Sequence, residues 1–217
     1  MKLRMKMIYR TPKGTEAEFL SDYLPPGAVL LLMEDMQQSA RIHRTELIDQ
    51  YDTEWTMKEL RNYMKELETE PHQVRIYADG GFDKNTGKAG LGSVIFYEQD
   101  QKEYRIRRNQ KMEQLISNNE AEYAALYHAI RILEETGVRD QEIEVLMDSL
   151  IVVNQMGSDW PVYEKELKYW ADKVDDALRA LGLSATYIHV DRKQNKEADQ
   201  LASQALKDIE IDSTIQK

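Results

Sequence analysis

The run RIYADGGFDKNTGKAGLGSVIFY, residues 75–97, closes an apolar stretch with Asp79, adds two glycines and a polar DKNTG segment, and then starts a second apolar stretch. Two strand-like runs around a cluster of Asp, Asn and Gly read as a hairpin. We read Gly87, Gly90 and Gly92 as part of that turn, because a dinucleotide fingerprint would need other spacing and a following helix. Asp79 is out of place for a sheet that should be closing its core. A second run, IEVLMD at 143–148, ends the same way at Asp148, with Ser149 leading into a helical pattern. Ligand sites in open α/β sheets collect at the strand ends, so a pair of acids there points to a site. The plainer alternative is that each aspartate caps the next element.

Two further carboxylates favour the site. Glu122 falls on the helical stripe of Ala125, Leu126, Ala129 and Leu133, the face expected in the core, whereas Glu120 is expected to face solvent. Asp199 lies in NKEADQLASQAL, 195–206, at the margin of a stripe of Ala198, Leu201, Ala202 and Ala205. Acids gathered from four elements repel one another, and a bound divalent cation reverses that. Oxygen-only ligands without cysteine fit Mg2+ or Mn2+ rather than zinc. Two ions about 3.5–4 Å apart would suit phosphodiester hydrolysis.

Outward from these residues, strands are expected at 74–79, 89–98, 102–110, 142–147 and 184–190, with helices at 118–135, 149–156, 161–181 and 195–209. That is a mixed five-stranded sheet flanked by helices, an α/β fold. With YADGG at Asp79, SNNEAEY at Glu122, MDS at Asp148 and NKEADQLA at Asp199, residues 74–208 resemble the type 1 ribonuclease H family. The resemblance implies a metal-dependent endonuclease that cuts the RNA strand of RNA–DNA hybrids, with those four acids as ligands of two Mg2+ or Mn2+ ions. It implies substrate contacts for Gly80, Gly81, Asn118, Asn119 and Ser149. Close backbone and amide side chains suit recognition of the 2′-hydroxyl.

The sequence also departs from the family pattern. His189 stands ten residues before Asp199, where many members carry a catalytic histidine, but the run VDRKQNKEAD after it resembles a branch with an aromatic residue there. Arg192 and Lys193 are alternative helpers. A basic protrusion is missing, so Lys102, Arg105, Arg107, Arg108 and Lys111 are the remaining candidates for substrate grip, with a charged solvent-facing edge as the alternative. Trp160 is read either as a stacking surface or as core. A catalytically weak or inactive module of this fold, binding nucleic acid or a protein, is the rival reading.

Residues 1–70 read as a small α+β accessory domain of order β-α-β-β-α, before a ribonuclease H-like domain at 73–211. Its elements are a strand at 1–10, a helix at 15–23, a hairpin of 28–33 and 40–48 around 34–39, and a helix at 53–67. Thirteen acids outnumber ten bases in residues 1–72. Phosphate binding there would need Lys2, Arg4, Lys6 and Arg10 on one face, and a protein partner or self-association is the alternative. The net charge of −10 argues against bulk electrostatic grip on nucleic acid. Without cysteines, a secretory pattern or a long apolar span, a soluble cytoplasmic protein with no membrane partner is expected.

Overall fold

Leu3, Met5 and Met7 alternate with Arg4 and Lys6, and they form β1 (Leu3–Arg10), whose apolar side lies on the core of the first unit. The computed structural model describes residues 1–36 and 41–217. The chain divides into two units, Met1–Thr69 and Glu70–Lys217. β2 (Glu16–Leu20), α1 (Pro26–Met36), β3 (Ile42–Asp49), β4 (Glu54–Trp55) and α2 (Met57–Thr69) complete the first. Its antiparallel sheet has the order β2-β1-β3-β4.

The order is therefore β-β-α-β-β-α, not β-α-β-β-α. The segment expected as a helix at 15–23 is strand β2, held by pairing from Lys6↔Leu20 to Arg10↔Glu16. The apolar run at 28–33, expected as a strand, is helical. Pro26 opens its helix, where a missing N–H does no harm. Val29 and Met33, one turn apart, bury together with Leu60 of α2. The expected turn at 34–39 lies partly outside the described residues, and its first part belongs to α1. The last helix begins at Met57 rather than at 53, because Thr56 and Glu59 cap it reciprocally through backbone N–H groups. Three of the four residues of the expected basic face are paired: Arg4 with Asp52, Lys6 with Glu18 and Glu46, and Arg10 with Glu16.

In the second unit β5 (His72–Asp83), β6 (Lys88–Gln99) and β7 (Lys102–Glu113) form a meander. α3 (Asn118–Thr136), β8 (Glu142–Met147), α4 (Leu150–Met156), α5 (Lys165–Ala180), β9 (Ser184–His189) and α6 (Lys196–Leu206) follow. A further strand, β10 (Asp212–Gln216), pairs antiparallel with β7, so the sheet has six strands rather than five, in the order β10-β7-β6-β5-β8-β9. β8 runs parallel to both β5 and β9, and the other pairs are antiparallel.

The glycines of 75–97 decide which helices reach this sheet. A Cβ on Gly80 would lie 2.2 Å from the backbone of Ala121 in α3, and one on Gly92 would lie 2.1 Å from the carbonyl oxygen of Ala198 in α6. Gly90 meets the carbonyl of Ala202 in the same way. Gly90 and Gly92 are thus strand residues that admit α6, and only Gly87, at φ +67, serves the turn. Neighbouring residues on a strand face opposite sides. Gly80 accordingly receives α3 while Gly81 meets Leu206 and Ala202 of α6, which places the two helices on opposite faces.

Beneath α3, half-buried His128 bonds Ser93 through Nδ1 at 3.1 Å. Burial, then the Arg108 charge, pushes its imidazole down to about 4 from 6.5. Between those values the unfolded chain binds a proton that the folded chain does not, so this group's contribution to stability falls as pH drops through that window. His128→Gln, whose amide can still meet Ser93, is expected to lose that contribution. Urea unfolding of both proteins at pH 4 and 7.5 checks it: the difference between them should change with pH in this sense.

Candidate active site

Parallel register brings the first two acids together. The last β5–β8 pair is Tyr77↔Leu146, and two residues further along each chain stand Asp79 and Asp148. β9 ends one strand over, with His189 paired to Met147 and its side chain exposed. Asp79 is buried, and Asp148 and Ser149 are half-buried. Ser149 caps α4 by accepting from the N–H of Val152.

Glu122 comes from the opposite face, on the second turn of α3. It is 8% exposed, and its Oε2 accepts from the N–H of Gly80 at 3.2 Å. The absence of a side chain at Gly80 is what lets this turn approach the strand. Gly80 is therefore a close-packing residue, and the space a side chain would take there is filled by Ala121 and Glu122. Asn118 is exposed and Asn119 half-buried at the start of the same helix.

Asp199, half-buried on the first turn of α6, bonds the guanidinium of exposed Arg192 at 2.9 Å. Asp148 and Asp199 are close enough to Asp79 to perturb it. Burial, then the charges of Asp148 and Asp199, pushes the Asp79 carboxyl up to about 7, with Arg192 opposing. Burial, then Asp79 and Asp148, pushes Glu122 up to about 9. These groups hold protons at neutral pH unless positive charge offsets the repulsion.

The donor set is all oxygen and includes two buried acids in electrostatic conflict, which fits a hard divalent cation. Among the described residues, however, no group of three or more His, Asp or Glu side chains is arranged to hold a metal ion as it stands. The acids are tied to separate partners: Glu122 to Gly80, Asp199 to Arg192, and Asp148 to the amide of Asn195 at 2.7 Å.

Four of the five basic residues of β7, all but Lys102, are engaged in ion pairs. Arg105 and Arg107 pair with Glu197, Arg108 with Glu135 and Asp212, and Lys111 with Asp208. Lys193 is exposed near the site, and Trp160 is 44% exposed beyond α4. Glu120 is not solvated: it is buried, and it accepts from the N–H of Ile116 and the indole of Trp170. Its spacing from the N-cap Ser117 was the readable sign of an engaged side chain. Asn195, unremarked in the sequence, is the other residue of consequence at this rim.

A profile described as "Reverse transcriptase-like" matches residues 77–205. The chain belongs to that family. Over 207 residues it is 38% identical to the uncharacterized protein YpeP of Bacillus subtilis, covering 95% of this chain and 91% of that protein, both units included. The ribonuclease H1 of Halobacterium salinarum superposes with a TM-score of 0.54 at 27% identity, over 63% of this chain and 99% of its own. LC11-RNase H1, solved in complex with an RNA/DNA hybrid, gives a TM-score of 0.55 at 30% identity, over 62% of this chain and 97% of its own. Within the reverse-transcriptase-like family, the second unit is that of a type 1 ribonuclease H enzyme. Among the described residues, no helix is long and apolar enough to cross a membrane.

Proposed function

We propose that this chain hydrolyses the RNA strand of RNA–DNA hybrids as a metal-dependent endonuclease, with Asp79, Glu122, Asp148 and Asp199 as the ligands of two Mg2+ or Mn2+ ions. The observation that carries this reading is the conflict at the rim, where Asp79 is pushed up to about 7 and Glu122 to about 9. Buried acids held against one another are unfavourable for folding and become useful when a cation is present. Divalent cations bound there would offset that charge and supply activated water and leaving-group stabilisation.

The chain's own residues supply the rest. β5 and β8 deliver Asp79 and Asp148 side by side, and α3 brings Glu122 from the other face. Asn118 and Asn119 offer amide donors and acceptors at the start of α3, Ser149 lies beside Asp148, and Arg192 places a positive charge near Asp199. Hybrid recognition in an LC11 enzyme of the same fold supports this substrate class. The ion pairing of Arg105, Arg107, Arg108 and Lys111 along β7 supports a grip through such local contacts rather than through a basic field. Residues 1–69, where Arg4, Lys6 and Arg10 are held in ion pairs, are better suited to a protein partner or self-association than to phosphate.

His189 is assigned the proton transfer at the scissile phosphate, since it is exposed at the end of β9 beside the strand that ends in Asp148. His189→Ala is expected to lower kcat by about a hundredfold with KM little changed, measured on a labelled hybrid. An unchanged kcat would remove His189 from the chemistry.

The assay that tests the whole reading compares a labelled hybrid with duplex DNA and duplex RNA, in Mg2+ and in Mn2+. Cleavage of the hybrid alone, dependent on metal, is expected. A folded protein that binds hybrid without cutting it in either metal would leave a binding module instead.

A further inference from the structure

Asn195 stands where asparagine ordinarily caps a helix, immediately before α6, yet its side chain makes no capping bond. The side chain is 1% exposed and is committed elsewhere. Its Nδ2 donates to the carbonyl oxygen of Ala78 at 3.0 Å and to Oδ1 of Asp148 at 2.7 Å. Both partners are acceptors, so only the NH2 end of the amide can face them. The amide oxygen is left buried without a partner among the described residues. Leaving such a group unpaired is unfavourable, so the donor end is held in place against a penalty.

The two bonds join three elements that each carry an acid. Ala78 precedes Asp79 within β5, Asp148 directly follows β8, and the N–H of Asp199 donates to the backbone oxygen of Asn195 itself. One side chain thus ties the start of α6 to β5 and to the residue that follows β8, and engages one oxygen of Asp148.

We infer that Asn195 is a positioning residue, whose amide fixes the Asp148 carboxylate and the spacing of Asp79, Asp148 and Asp199 for cation binding. The inference rests on the proposed role of those acids as ligands. Outer partners of metal-binding carboxylates typically contribute about 10–100-fold in affinity or activity, and that is the size of effect expected.

The test is a double-mutant cycle on the full chain, read by calorimetric titration with Mn2+ and, separately, by cleavage of the hybrid. Asn195→Ala is expected to weaken Mn2+ binding about 10–100-fold, to lower kcat similarly and to leave hybrid affinity without divalent metal unchanged. In the Asp148→Asn background the same substitution is expected to add little, because its effect runs through Asp148. Full additivity overturns the inference, as does unchanged Mn2+ affinity or a loss of hybrid affinity equal to the loss of cleavage. Should Asn195→Ala not fold, Asn195→Ser, which keeps a buried donor, carries the same cycle. A wild type that binds Mn2+ but cuts no hybrid would sink the nuclease reading while the cycle still decides the role of Asn195. A wild type that binds no Mn2+ would overturn both.

Discussion

Asp79→Asn is expected to abolish cleavage and, in metal-free buffer at pH 8, to make the protein more stable than the wild type. The first effect follows from charge. An amide keeps the shape of the carboxylate but not the anion that a divalent cation needs, and losing such an electrostatic contact costs at least about 10²–10³-fold in rate. The second follows from linkage. Burial, then Asp148 and Asp199, raises the folded Asp79 from 3.8 to about 7. Between those values the folded chain holds a proton that the unfolded chain has released, so the group's contribution to stability falls as pH rises through that window. At about 1.4 kcal/mol per pH unit, the ceiling is about 4 kcal/mol, and the cost of burying an amide in place of the acid brings the expected gain to about 1–3 kcal/mol.

Thermal unfolding of both proteins at pH 4 and pH 8, with and without saturating Mg2+, separates these effects. The variant should unfold at a higher temperature at pH 8 without metal, and the gap should narrow at pH 4, where Asp79 is protonated in the wild type. It should also narrow in Mg2+, which stabilises only a site able to bind it. Equal midpoints under all four conditions would mean that Asp79 carries no strain for a cation to relieve.

The acids were legible in the sequence because they break the local pattern. Asp79 and Asp148 end apolar runs, and Glu122 interrupts an otherwise apolar helical stripe. The elements of the second unit were legible because their periodicities are strong. The first unit was less so: the run at 28–33 is apolar throughout, and such a run has no period to tell strand from helix. β2 is exposed at every position and exists because β1 offers it an edge, which no local pattern announces. β10 is short and polar, and it too is made by its neighbour, so the sheet came out one strand larger than expected. Asn195 passed unremarked because it stands just before a helix, where asparagine is commonplace, and only the approach of two other elements reveals where its amide is spent. The charges of β7 looked available because their partners, Glu197, Asp208 and Asp212, lie about a hundred residues away.

Gly80→Ala is expected to damage both fold and activity, whereas Gly81→Ala is expected to be tolerated by the fold. The added methyl at Gly80 would lie 2.2 Å from the Ala121 carbonyl carbon and 2.4 Å from the Glu122 nitrogen, both backbone atoms of a helix that cannot yield locally. Relief requires β5 and α3 to separate. Overpacking of this kind costs about 1–3 kcal/mol or more, and the separation moves Glu122 away from Asp79 and strains its bond from the Gly80 N–H. A displacement of about 1 Å at a reacting centre can cost a hundredfold in rate. At Gly81 the methyl would meet the terminal Cδ1 of Leu206 at 3.3 Å, which a rotamer adjustment can accommodate. Urea unfolding and hybrid cleavage of the two variants therefore form an internal control. Loss of stability and cleavage at Gly80, with both near wild type at Gly81, assigns Gly80 to helix seating and shows that the fold makes no such demand of Gly81. A Gly81→Ala protein that folds normally but no longer cuts would instead return that position to the substrate, since the fold has no objection to the methyl there.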